Sequence, residues 1–403
     1  MKILVAGVSA RALAQSAVRA GRRVAALDYF GDRDLSGLAE SRSLARIEGT
    51  SYDAKALPDL ARGMRYDALA YVGNLENHPD VVAALAGHRP IIGNDPGVLR
   101  QVRHWPTLRG VCAEEGLRMP PTLFHGEESW ASAGVRWLRK PSLSGGGHGI
   151  RTWDGAALDA NGYLQAYAPG VSASAVFAAN GRECAVLGLC EQLIGLAGLG
   201  AHGFRHCGNI MPLSPRLGGG PALLAAVRDM LGRLVRRFGL RGVCGADFIV
   251  GRGQDGAPVP LLLEINPRPS SSAELVELAG VVNIFEAHAA SSLGALPQAP
   301  DDRTILGPFE GGVLAKGIAF ARWESLIPET MPDVGATLLD VGEPGDAVRP
   351  GSPICSLIVR APDRDAALRG LLDAAGNLGR SIRAPGAETA TIAPTIPISG
   401  HRE

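Results

Sequence analysis

Strand and helix signals alternate through the first hundred residues, and no other feature limits the fold as strongly. Lys2–Ala6 reads as a buried strand, the turn Gly7-Val8-Ser9-Ala10-Arg11 leads into a helix ending near Gly21, and residues 23–27 read as a second strand that ends at Asp28. Residues 68–72 form a third strand, Pro79–Ala86 a helix and Ile91-Ile92-Gly93 a short strand. Strands separated by helices align in parallel, with helices on both faces. Such open sheets bind ligands at the carboxyl ends of their strands. That singles out Ser9, Arg11, Asp28 and the loop Gly73-Asn74-Leu75-Glu76-Asn77, for which an ordinary solvated loop is the competing reading.

The strand, turn, helix and acid at the start resemble a dinucleotide fingerprint only superficially. G-x-G-x-x-G needs its second glycine for close approach of a pyrophosphate. Here Gly7 is followed by Ser9 and Ala12 at the other two glycine positions, which argues against a NAD-dependent oxidoreductase.

A helix is expected over residues 96–115, with Gly116 as its C-cap. The pair Pro120-Pro121 then breaks the chain and marks a boundary. The resulting division is 1–116, 117–170, 171–304 and 305–403. The second block has strands over 136–141 and 149–153. The third has strands over 172–177, 184–190, 243–250 and 260–265 and a main helix Pro221–Phe238. The last has strands over 312–320 and 354–359, a helix over 363–375 and a loosely held tail from Ala384. No internal repeat is evident.

A chain of 403 residues exceeds one core of ordinary size, in keeping with several domains. Lys+Arg and Asp+Glu balance at 40 each, so no net field recruits nucleic acid or an anionic membrane. The six cysteines include no Cys-x-x-Cys pair, which disfavours a zinc ribbon or redox motif. His202 and His206 are four apart, but Gly203 between them favours a loop over a metal-binding helix. With no secretory pattern and no membrane-length apolar run, the cytoplasm is the expected location.

Two segments carry chemistry. In Trp137-Leu138-Arg139-Lys140-Pro141-Ser142-Leu143-Ser144-Gly145-Gly146-Gly147-His148-Gly149-Ile150, a strand delivers Lys140 to the edge of a glycine-rich loop. Glycines let backbone N–H groups close over phosphates, and the lysine can place its charge on a phosphate or bond to a purine. A bare hairpin connection is the alternative. Gly-Lys-Ser/Thr is absent, so this is not a Walker loop.

The other segment reads as a β-hairpin: Gly245-Ala246-Asp247-Phe248-Ile249-Val250, a turn containing Asp255-Gly256, then Leu261-Leu262-Leu263-Glu264-Ile265-Asn266-Pro267-Arg268-Pro269. Glu264 and Asn266 are two apart and share a face, which Asp247 reaches from the partner strand. Oxygen-only ligands of this kind suit Mg²⁺, whose octahedron is completed by water and substrate phosphates. Arg268 lies just beyond, where it can brace a transferring phosphoryl group. An exposed acidic strand end is the alternative.

Together, Lys-Pro…Gly-Gly-Gly-His-Gly-Ile, Gly-Ala-Asp-Phe and Glu-Ile-Asn-Pro-Arg-Pro resemble the ATP-grasp superfamily over roughly residues 1–300. The resemblance implies an α/β and α+β architecture: an N-terminal Rossmann-like pre-ATP-grasp domain, a two-lobed ATP-grasp domain and a small C-terminal α+β cap. It implies ATP and Mg²⁺ as cofactors. Lys140 is similar to the lysine on adenine and α-phosphate, and Ser144, Gly145, Gly146, Gly147, His148 and Gly149 to the phosphate-covering loop. Asp247, Glu264 and Asn266 resemble the metal ligands, and Arg268 the arginine near the γ-phosphate. The adenine linker is matched by Gln165, where the family usually has Glu, with Ala166, Tyr167 and Ser172; backbone groups of Ala166 and Tyr167 would face the purine. The family's earlier phosphate lysine falls near Trp105, and Arg103 is the nearest substitute. That departure keeps open a nucleotide sensor with a decayed site.

The resemblance implies a carboxylate–amine ligase that forms an acyl phosphate and then an amide. Lys140 and Arg268 would act at the phosphates, and Ser9, Arg11, Glu76, Asn77 and Arg205 on substrate, with Arg11, Arg205 and Arg268 able to grip a carboxylate. The chain is similar to predicted carboligases related to biotin carboxylase. Among these are forms found beside tetrahydromethanopterin- or methanofuran-type cofactor biosynthesis, with tyramine–glutamate ligase as the comparable activity. The pattern Asp340-Val341-Gly342…Gly351-Ser352-Pro353-Ile354-Cys355 resembles the small C-terminal domain of that group. Small-molecule carboxylate and amine are then the partners, and a homodimer is compatible. A carboxylase of the biotin or purine-pathway type, using bicarbonate, is the alternative.

Overall fold

The computed structural model describes residues 1–48, 52–253 and 256–382. Asp255 of the expected hairpin turn and the tail from Ala384 lie outside the described residues.

The N-terminal region is a parallel five-stranded sheet, in the order Glu40–Ser43, Arg23–Asp28, Lys2–Ala6, Ala68–Tyr71, Ile91–Ile92. Its central strand is wholly apolar and buried from Ile3 to Ala6, as a strand covered on both faces requires. The edge strand Glu-Ser-Arg-Ser was missed in the sequence because its composition carries no strand signal.

The small lobe is a four-stranded sheet: Thr122–Leu123, Gly162–Ala166, Trp137–Pro141, Arg151–Thr152. The large lobe is one eight-stranded sheet. Pro258–Asn266, Arg241–Arg252, Val171–Asn180 and Cys184–Ile194 are followed by His206–Met211, Val313–Phe320, Pro353–Ala361 and Thr337–Leu339. The last three of these strands belong to the expected small C-terminal cap, which main-chain hydrogen bonds between His206–Met211 and Val313–Phe320 join to the large lobe. His206 opens a strand, whereas His202 lies in the preceding loop.

The helix Pro221–Phe238 has its predicted limits. It ends at Gly239 with φ 67°, a left-handed position that glycine adopts without strain. Its buried stripe of Leu223, Leu224, Val227, Met230, Leu231, Leu234, Val235 and Phe238 covers one sheet face.

The helix expected over 96–115 is two helices, Pro96–Val102 and Trp105–Glu114. Pro106, near the start of the second, has no N–H to continue the first, and the chain is extended at His104, with ψ 100°. The break leaves Arg103 and His104 between the helices and turns Arg103 inward, where it is buried.

Candidate active site

The hairpin strands pair in the expected register, with Asp247 opposite Glu264 and Gly245 opposite Asn266. Paired residues of an antiparallel ladder share a face, so the two carboxylates meet. Burial raises the pKa of Asp247, and the charge of Glu264 raises it further, while Gln192 hydrogen-bonds to it and lowers it. The Asn266 amide donates to Asp247 Oδ2 at 3.2 Å. Among the described residues, no group of three His, Cys, Asp or Glu is arranged to hold a metal. Two crowded carboxylates and one amide oxygen nevertheless fit Mg²⁺, which takes few protein ligands and would relieve the carboxylate repulsion.

Arg268 follows at the end of the strand. Its Nη2 donates to Glu76 Oε1 at 2.7 Å and to Asn266 Oδ1 at 3.1 Å, and its Nη1 to Pro269 O at 3.2 Å. Glu76 comes from the loop after the N-terminal strand Ala68–Tyr71, so this pair spans the crevice between the two sheets. Asn77 accepts from Arg103 Nε at 2.8 Å.

Arg103, the nearest cation to the expected phosphate lysine, is engaged by protein groups. It bonds to Glu264 Oε2 at 3.0 Å, Ile265 O at 3.3 Å and Ser144 O at 3.4 Å. It therefore braces the Glu264 carboxylate and touches the glycine loop. Trp105 donates from Nε1 to Ser142 O at 3.0 Å and stacks on Tyr163 at 4.5 Å, fixing the root of that loop.

Lys140 lies across from these groups. Burial lowers its pKa, and the charges of Glu264 and Asp247 partly offset the effect. Its Nζ donates to Gln165 Oε1 at 2.6 Å, and Gln165 Nε2 donates to Thr122 Oγ1 at 3.2 Å. Gln165 is buried and orients the lysine. Gly146, Gly147 and Gly149 have positive φ, Ser144 Oγ donates to His148 O at 2.7 Å, and Gly146 O accepts from the amide of His206. The loop thus rests on 204–206, and a Cβ at Gly147 would overlap Phe204 O. Gly145 has open space around it.

Three expectations change. Arg11 is fully buried and held by Glu274 and by Asp340 Oδ1 at 2.8 Å. Lys316 Nζ also donates to Glu274, at 2.6 Å. Arg11 is therefore a knot between the N-terminal sheet and the C-terminal region, with its guanidinium occupied rather than presented to a substrate. The amide of Ala166 donates to Pro121 O and that of Tyr167 to Arg136 O, both at 2.8 Å. Only their carbonyls remain for a purine edge. Arg205 Nη1 donates to Gly351 O at 2.6 Å, and its guanidinium lies 4.4 Å from the Phe320 ring centre, which leaves only part of it for a ligand. Ser172 donates to Gln192 Oε1 at 3.3 Å, and Ser9 is half-buried in the turn after the first strand. Sequence reading missed Gln192 and Lys316, which lie in strands with no distinguishing motif.

Residues 108–272 match the family model described as an ATP-grasp domain. The matched residues span the small lobe and the large-lobe strands up to Pro258–Asn266. The biotin carboxylase domain of Hydrogenobacter thermophilus 2-oxoglutarate carboxylase, solved as a dimer with MgADP, ADP and bicarbonate, superposes with a TM-score of 0.68 at 17% identity, over 96% of this chain and 91% of that one. The biotin carboxylase from Campylobacter jejuni gives 0.66 at 16%, over 91% and 89%. N5-carboxyaminoimidazole ribonucleotide synthetase from Thermus thermophilus gives 0.64 at 20%, over 93% and 98%. At these identities the likeness is one of fold. No curated protein matches the chain. Among the described residues, no helix is long and apolar enough to cross a membrane.

Proposed function

We propose that the protein is an ATP- and Mg²⁺-dependent carboxylate–amine ligase that forms an amide through an acyl phosphate. One observation carries the reading. Asp247 and Glu264 meet across a hairpin, with Asn266 and Arg268 beside them and Lys140 and a glycine loop opposite. This arrangement suits phosphoryl transfer, in which catalysis is mainly positioning and charge stabilisation.

Asp247, Glu264 and Asn266 would hold Mg²⁺, which when bound neutralises charge on the β- and γ-phosphates. Lys140 sets a cation on the phosphates, and Arg268 stabilises charge on the transferring phosphoryl group. The loop 144–149 excludes water and so protects the acyl phosphate. Arg103, by bracing Glu264 and Ser144, couples the metal carboxylate to that loop. Its guanidinium is spent on Asn77, Glu264, Ile265 O and Ser144 O, so it would act on the phosphates through those partners.

We assign an acid such as glutamate and a small amine such as tyramine as the substrate class, in C1-carrier cofactor biosynthesis, with Arg205 on the acid. The cytoplasm is the site of action and a homodimer the assembly in keeping with it. The second reading, a carboxylase, replaces the organic acid by bicarbonate; the fold shared with biotin carboxylases favours it as the alternative.

The test is ADP and phosphate release with MgATP, glutamate or bicarbonate, and a panel of amines including tyramine and tyrosine. Release that needs both an organic acid and an amine supports the ligase. Release with bicarbonate alone supports the carboxylase. Glu264→Gln is expected to lower turnover by about a hundredfold, the scale for loss of one main electrostatic group, with the fold intact by circular dichroism. Wild-type turnover in that variant would remove Glu264 from the mechanism.

A further inference from the structure

The ion pair between Arg268 and Glu76 is incomplete in a specific way. Glu76 is 2% exposed. Arg268 Nη2 contacts one of its oxygens, Oε1. The other, Oε2, is buried without a hydrogen-bond partner among the described residues, and so is Arg268 Nε. One charged pair thus leaves an orphan acceptor and an orphan donor together. A buried polar group without a partner costs about 1–3 kcal/mol, more when charged. Such groups persist where something else satisfies them.

The surroundings define what that is. The backbone of Gly73 packs against Arg268 so closely that a Cβ there would lie 3.1 Å from Nη2. That Cβ would also lie 3.4 Å from Nε, and the Arg268 side chain as a whole is 15% exposed. Tyr71 Oη donates to Asn94 O at 2.8 Å and reaches the carbonyl of Pro267, the residue before Arg268, at 3.4 Å. Asn266, the immediate neighbour, ties the pair to the carboxylates. The missing ligand therefore offers an oxygen to Nε and an N–H to Oε2, next to the phosphoryl-transfer position. An acyl phosphate under attack by an amine presents both.

We propose that the acceptor amine is bound by Glu76 Oε2, which receives its proton, while Arg268 Nε holds an oxygen of the acyl phosphate. This rests on the ligase reading. The amine nitrogen attacks the acyl carbon and a C–N bond forms. The C–O bond to phosphate then breaks, and phosphate leaves with that electron pair. The nitrogen, acidic once it has attacked, passes a proton to Glu76 Oε2, and the proton ends on the departing phosphate. An amine that arrives as an ammonium first releases one further proton to solvent. Arg268 keeps Glu76 ionised against the effect of burial, so the carboxylate can hold an ammonium on arrival.

The experiment separates the two half-reactions. Hydroxylamine captures the acyl phosphate as a hydroxamate and reports its formation; amide formation reports the second step. In Glu76→Gln, Oε1 can still accept from Arg268, but Oε2 becomes an NH₂ donor. The ratio of amide to hydroxamate is expected to fall by about a hundredfold, the low end for loss of a proton-transfer group, and the KM for the amine to rise. A fall of both products at an unchanged ratio would make Glu76 only a prop for Arg268, and wild-type levels of both would place the amine elsewhere; either overturns the inference while the ligase stands. No hydroxamate from the wild type with any acid would instead remove the ligase reading and the inference with it.

Discussion

Acid should unfold this protein in part through one histidine, His288. It is 1% exposed and joins the N-terminal sheet to the large lobe. Its Nδ1 accepts the amide of Val243 at 2.8 Å, which fixes the proton on Nε2, and that N–H reaches Ile92 O at 3.0 Å. Gly93 and Gly242 pack on the ring; a Cβ at Gly242 would lie 2.6 Å from Nδ1. A second proton would desolvate a charge and destroy the Val243 bond, and burial pushes the pKa down from 6.5 to about 4. The unfolded chain takes that proton near pH 6.5, the folded chain only near 4. Between these values the unfolded state binds more protons, so stability falls as pH falls. At 1.36 kcal/mol per unit, the loss attributable to His288 is about 3 kcal/mol by pH 4.

The assay is urea unfolding of wild type and His288→Gln from pH 7.5 to 4. Glutamine can accept from Val243 and donate to Ile92, but it does not titrate. The variant is expected to be less stable near pH 7 because its fit is poorer. The wild-type advantage should then shrink by about 3 kcal/mol on going to pH 4. His206, also pushed down to about 4 by burial, and the carboxylates affect both proteins and cancel in the comparison. Parallel stability curves would refute the argument, since they would mean that His288 takes its proton at the same pH folded and unfolded.

Other outcomes follow from single contacts. Gly147→Ala drives a Cβ into Phe204 O and should lower kcat/KM for ATP by about a hundredfold through loop displacement; Gly145→Ala, in open space, should be tolerated, and equal effects would deny the loop its docked position. Arg11→Met leaves Lys316 as the remaining cation beside Glu274 and Asp340 among the described residues and should cost roughly 3 kcal/mol in urea unfolding without changing the KM for the acid; a changed KM at wild-type stability would restore Arg11 to the substrate. Arg205→Ala should raise the KM for the acid while leaving that for ATP within about threefold, since the side chain stands on Gly351 and Phe320 beside the loop; unchanged acid kinetics would remove it from the substrate site.

The sequence by itself determined the parts that depend on neighbours along the chain. Period-two pairing put Glu264 and Asn266 on one face, the hairpin brought Asp247 to them, and glycines at 145–149 marked the loop, because side-chain direction in a strand and left-handed turns are local properties. The apolar stripe of residues 221–238 gave that helix its limits for the same reason. Tertiary structure alone decided which charges meet. Arg11 and Arg103 look alike in the sequence, each an arginine near a helix end. Only packing shows that Glu274 and Asp340 hold the first, from 263 and 329 residues away, while a proline-broken helix delivers the second to Glu264. Glu76 and Arg268, 192 residues apart, pair for the same reason. A charge's role depends on the partner and the dielectric around it, and neither is fixed until distant strands close over it.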